Sequence, residues 1–203
     1  AFRVHDAHKT FRRCLELSAW EVPSHAQAME LHIPAIHGPG GSRFYFVDRW
    51  KEFSIYDIDF VAIPTVDQAP PALEGMGYFG VVQYIGADRS ADWLAYYEEM
   101  FDFQSIPDEQ RFGILPKGKL MRSPCGKFLW QVIEPDPWME SDGAAESLLR
   151  VGLGVPDVPA AVARLKANGV DFIESAQLHP EDRGALTRNL LGSVSFELVH
   201  QAG

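Results

Sequence analysis

Two cysteines in 203 residues, Cys14 and Cys125, are too few to build a disulfide framework. With no secretory signal ahead of them they read as free thiols, and neither is given a redox role. No apolar run approaches the roughly 20 residues of a membrane-spanning helix, and no cluster of Lys or Arg offsets the net charge of -10. These absences exclude a nucleic-acid or anionic-membrane partner and leave a small molecule or another protein. The glycine-rich stretch at residues 38–41 is not followed by Lys and Ser/Thr and lies between two strands, so it reads as a hairpin turn and not a phosphate loop. The chain is expected to be soluble and cytoplasmic.

Apolar material, by contrast, is plentiful. At 46% hydrophobic and 12% aromatic the chain can bury the core of one large or two small domains. Its periodicity predicts a strand at 1–4, a helix from Asp6, a plausible N-cap, to about Leu17, and strands near 20–23, 28–36 and 42–48. A Pro-rich linker, residues 61–76, closes the first segment, 1–60. The pattern then restarts with a strand at 78–85, a helix at 89–101, a short strand near 102–105 and a hairpin running 111–122 to 127–134. It restarts again with a strand at 148–155, a helix from Pro156-Asp157 to Asn168-Gly169, and strands near 170–174, 184–189 and 193–200.

One β-α-β-β-β unit therefore recurs three times, the last two (77–135 and 147–203) making a second domain at 77–203. Val4-His5-Asp6 and Val155-Pro156-Asp157 fall in register between the first and third copies. Three copies imply a fourth, expected upstream of Ala1. The first segment is then half of a domain with an apolar sheet face to cover, either by upstream residues or by a second chain, and a homodimer is expected if this chain is all there is.

Within the last strand, Ser193-Val-Ser-Phe-Glu-Leu-Val-His200, period-two alternation turns Glu197 toward the core. An unpaired carboxylate there would cost several kcal/mol. A metal ion or a basic side chain should face it.

Paired β-α-β-β-β modules resemble the vicinal oxygen chelate superfamily of glyoxalases and dioxygenases, an α+β fold. Four segments resemble the 4-hydroxyphenylpyruvate dioxygenase family within it: Ala1-Phe-Arg-Val-His-Asp-Ala-His8, Met29-Glu-Leu-His-Ile-Pro-Ala-Ile-His-Gly-Pro-Gly-Gly41, Tyr45-Phe-Val-Asp-Arg49 and Ser54-Ile-Tyr-Asp-Ile-Asp-Phe60. The resemblance implies one complete C-terminal barrel and half of an N-terminal one. It also implies Fe(II) held by two His and one Glu, and O2-dependent conversion of an aromatic 2-oxo acid in tyrosine catabolism. Such a triad leaves open positions on the iron for O2 and a bidentate substrate.

Glu197, preceded by Phe196, matches the carboxylate ligand of that family. Gly80, in Tyr78-Phe-Gly-Val-Val82, takes the slot of the first histidine, and Arg150, in Leu148-Leu-Arg-Val-Gly-Leu153, takes that of the second. Glycine offers no ligand atom, and a guanidinium does not ligate iron. Arg150 is expected to stand in for the metal as a bidentate partner of Glu197; the alternative is that Arg150 reaches solvent while Glu197 faces outward.

Tyr84, Trp130, Arg150 and Glu197 are the expected lining of any cavity, with Arg150 available to an aromatic acid. Of the histidines, His200 is offset by three from Glu197 and so faces the other way. Only His179, in a loop, could fold over a barrel mouth. Two functions are thus carried forward: an Fe(II)-dependent dioxygenase, and a metal-free small-molecule binding or structural module without cofactor.

Overall fold

The computed structural model describes residues 1–24, 31–54, 56–110, 118–135, 146–173, 184–190 and 194–200. The chain divides into two compact units, Ala1–Pro70 and Pro71–Gly203. In the first, β1 (Phe2–Arg3), α1 (Ala7–Glu16), β2 (Ala35–His37) and β3 (Arg43–Val47) make a three-stranded sheet in the order β1-β3-β2, followed by a short helix, α2 (Tyr56–Asp59). Asp6 caps α1, its carboxylate accepting from the Lys9 N–H at 2.7 Å, while Asp48 takes the Ala7 N–H at 2.9 Å. Two of the orphan N–H groups that every helix start leaves are thereby satisfied.

This unit departs from the sequence reading in three places. The strand expected at 20–23 is a single bridge, Glu21 to Ile36. The strand expected at 28–36 begins only at Ala35, with residues 25–30 outside the described set. The third departure is the sheet face, which was expected to be apolar. Alternation along Arg43-Phe-Tyr-Phe-Val47 places Phe44 and Phe46 in the core beside α1, so the opposite face presents Arg3, His37, Arg43 and Tyr45 around the apolar Ala35 and Val47 and is mixed in character. Exposed apolar side chains also lie off the sheet, at Trp20 before it and at Tyr56, Ile58, Phe60, Val61 and Ile63 after it.

The second unit contains β4 (Gly77–Tyr84), α3 (Ser90–Phe101), β5 (Gln104–Ile106), β6 (Lys119–Arg122), β7 (Leu129–Ile133), β8 (Ser147–Val155), α4 (Val158–Ala167), β9 (Ala185–Leu186) and β10 (Ser195–His200). Its strands form one sheet in the order β5-β6-β7-β4-β8-β10-β9. In each module the first and last strands pair in parallel, β4 with β7 and β8 with β10, and the modules meet where β4 and β8 run antiparallel. The pair β1 and β3 repeats that arrangement in the first unit. The parallel pairing of first and last strands thus recurs in all three segments, with the second strand reduced to a single bridge in the first and third, and the architecture is α+β, as the vicinal oxygen chelate resemblance implies.

Local chemistry explains the helix ends. Asp157 caps α4 by accepting from the Ala160 N–H, and Gly169, at φ +84°, closes it in the left-handed conformation that glycine adopts without strain. Helix α3 has no capping side chain of its own. Glu134, just beyond β7, supplies one by accepting from the Ser90 N–H at 2.7 Å. A hydrogen bond from the Ser90 side chain, and after it the backbone N–H groups of Ser90, Asp88 and Arg89, hold its carboxyl below the ordinary value.

A group depressed in the folded state stabilises the protein above its unfolded pKa, and that contribution is lost as pH falls through the folded pKa. Glu134→Gln is therefore expected to cost about 1 kcal/mol at pH 7, by urea titration. The gap from the unsubstituted protein should close as the pH is lowered below the ordinary carboxylate range. A gap that stays constant down to acid unfolding would contradict the assignment.

Candidate functional site

The two sides of the large sheet do different jobs. Alternation puts Val81, Gln83, Trp130, Val132, Val155 and Leu198 on one side and Val82, Tyr84, Leu129, Gln131, Arg150, Gly152 and Glu197 on the other. The first side meets the helices. Tyr97 of α3 donates its hydroxyl to Gln83 Oε1, as does Trp130 Nε1 at 2.9 Å, and Val158 and Ala161 of α4 pack with Val155, Leu198, Phe172 and Ala185. Burial drives the Tyr97 hydroxyl far above its ordinary pKa, so it stays a donor. Trp130 thus belongs to the helix-facing core and not to the cavity where the sequence placed it, because both faces of β7 carry bulky side chains and alternation alone does not say which one meets a helix.

The second side holds the polar cluster. Arg150 and Glu197 are 5% and 3% exposed, and Nη1 of Arg150 lies 3.1 Å from Glu197 Oε2. Register explains the contact: Arg150 pairs with Ser195 across β8 and β10, so its side chain reaches diagonally to the residue two further along the same face. The pairing is not bidentate as expected, since Nη2 instead donates to the Tyr84 hydroxyl at 3.0 Å. Nε of Arg150 is buried without a partner among the described residues, as is Nε2 of Gln83. Tyr84, Arg150 and Glu197 are brought together; Trp130 is not among them.

Gly80 does not present an empty ligand slot. Strand β4 is irregular between Tyr78 and Gly80, which leaves Phe79 as an additional residue opposite β8. A Cβ built on Gly80 would sit 2.1 Å from the Leu129 carbonyl oxygen, so the neighbouring strand occupies the space a side chain would need. Phe79 lies over Gly152 instead: a Cβ there would come within 2.5 Å of its ring. Phe79, Val82, Leu129, Gln131, Gly152 and Glu197 line a cavity of about 10 Å³. That is room for about one water molecule.

Sequence reasoning missed Phe79 and Gln83. A signal existed for the first, because an isolated glycine inside a strand marks a bulge or a close backbone approach. His200 is exposed at the end of β10, and His179 lies outside the described residues. Among the described residues no three His, Cys, Asp or Glu side chains are grouped so as to hold a metal ion. No helix of the described chain is long and apolar enough to cross a membrane.

Comparison with known proteins bears on these positions. The sequence pattern of the hydroxyphenylpyruvate dioxygenase N-terminal domain matches residues 1–61. A 4-hydroxyphenylpyruvate dioxygenase of Pseudomonas sp. (strain P.J. 874) is 40% identical over 107 residues, covering 52% of this chain and 30% of that protein. Hemolysin VllY of Vibrio vulnificus is 30% identical across 100% of this chain and 69% of its own length. A solved mutant of 4-hydroxymandelate synthase from Streptomyces coelicolor superposes with a TM-score of 0.72 at 17% identity, over 100% of this chain and 68% of that one. The chain thus spans less than a third of the first of these relatives and about two thirds of the other two.

Proposed function

Because this chain belongs to the 4-hydroxyphenylpyruvate dioxygenase-like family of vicinal oxygen chelate proteins, and a buried Arg150–Glu197 ion pair occupies the face where the resemblance puts iron, we propose that it is a metal-free module of that fold. Its role on this reading is structural, not catalytic. The carrying observation is the guanidinium itself, a fixed positive charge 3.1 Å from the one carboxylate that matches the family's ligand set. A cation placed there supplies the charge Fe(II) would otherwise supply and repels a second one.

The donor set does not fit the metal. A facial triad needs two neutral imidazoles and one carboxylate, whereas these positions offer a glycine, a guanidinium and a carboxylate. Space argues in the same direction. Sites for small molecules enclose about 300–1,000 Å³, and the cavity beside Glu197 encloses about 10 Å³.

The dioxygenase reading rests on the buried, inward-facing Glu197 and on the matched first 61 residues. One experiment separates the two. Purified protein loaded with Fe(II) anaerobically and then desalted should retain far less than one iron per chain, and should consume O2 on 4-hydroxyphenylpyruvate at the rate of a buffer blank. Stoichiometric iron with turnover would replace this proposal with the dioxygenase.

A further inference from the structure

We infer that His8 and His32 form an open two-imidazole site for a divalent metal ion of the nickel, copper and zinc kind. His8 lies in the first turn of α1, and His32 lies in the segment that leads into β2. Both side chains are exposed, and their rings are parallel to within 4° with centroids 6.0 Å apart. Metal–nitrogen bonds of about 2.0–2.1 Å put each ring centre about 3.2 Å from a shared ion, so two rings on one ion lie about 5–6.4 Å apart. The observed spacing falls inside that span.

Imidazole nitrogen is a preferred ligand of these ions. Neither ring has a hydrogen-bond or ion-pair partner among the described residues, so its nitrogens are available to one. The backbone is anchored close to each ring. Asp48 and Asp6 hold the N–H groups of Ala7 and Lys9, on either side of His8, and the Pro34 carbonyl, two residues beyond His32, accepts from the Phe46 N–H at 3.0 Å. The pair is therefore brought together before any ion arrives, which lowers the ordering cost of chelation. No third His, Cys, Asp or Glu among the described residues is grouped with it, so water completes the shell and the ion exchanges readily. The pair belongs to the first unit and uses no residue of the Glu197 face, so the metal-free reading of that face neither supports nor excludes it. Fe(II) stands low in the affinity order for such ligands and should leave this pair on desalting, which keeps the two iron outcomes above distinct.

Calorimetric titration of the whole chain with Ni(II) tests the inference, on the unsubstituted protein, His8→Ala, His32→Ala, the double variant and His37→Ala. The unsubstituted protein should take up one Ni(II), and either single substitution in the pair should weaken binding at least about tenfold. The double variant should bind little more weakly than either single one, because one imidazole alone no longer chelates. His37→Ala, an exposed histidine on the sheet's other face, should bind like the unsubstituted protein. Ni(II) at ten times its Kd should raise Tm by about 3–5 °C only where both His8 and His32 are present. Glutamine replaces alanine at either position if an alanine variant does not fold. Absence of Ni(II) uptake, binding that survives loss of either histidine, or an equal loss in His37→Ala overturns the inference.

Discussion

Arg150→Met is expected to lower the free energy of unfolding by about 3–5 kcal/mol, whereas Arg150→Met combined with Glu197→Leu should regain most of that loss. The asymmetry follows from desolvation. Both charges are at least 95% buried, so each has given up most of its hydration and depends on the other. Removing the guanidinium leaves a buried carboxylate without its cation. Removing both and filling the space with apolar side chains of similar volume also removes the desolvation cost, which is why such replacements are often neutral.

Tyr84 makes the asymmetry steeper, because its hydroxyl loses the Nη2 donor when Arg150 goes. The measurement is urea unfolding of the two single variants and the double variant, with the coupling taken from the cycle. Additive losses would show that the two side chains do not interact in solution.

The order of elements was legible in the sequence because it depends on local chemistry. Asp6 and Asp157 announce helix starts and Gly169 a helix end, whereas the parallel pairing of first and last strands is a tertiary fact. The inward direction of Glu197 could also be read, since β10 runs its six residues against β8 without a bulge. Strand β4 was harder. The match of Gly80 to the first histidine position rests on the resemblance, which does not register the one additional residue opposite β8 that turns Phe79 to that face. Trp130 failed for another reason: Leu129, Trp130, Val132 and Ile133 make both faces of β7 apolar. Which side meets α3 is a tertiary fact, settled by Gln83 and Tyr97 from other elements.

Gly80→Ala is the second substitution with a large expected effect, a loss of at least about 3 kcal/mol for the addition of one methyl group. Glycine is not required there by a left-handed backbone, since Gly80 is not among the residues of positive φ. The cost is steric. The added Cβ would lie 2.1 Å from the Leu129 carbonyl oxygen and 2.9 Å from its carbon, both backbone atoms of the parallel partner strand. A side chain can rotate away from such a clash, but a paired strand moves only by breaking its ladder, and β7 is held on its other edge by β6. Histidine at position 80 meets the same obstacle before its imidazole is placed anywhere. Histidines returned to positions 80 and 150 together should therefore yield a destabilised protein that still retains no stoichiometric iron, measured by urea unfolding and by metal content after desalting. A stable Gly80→Ala protein would show that β4 and β7 can part at this point, and the histidine variants would then become a fair test of whether the open face can hold a metal.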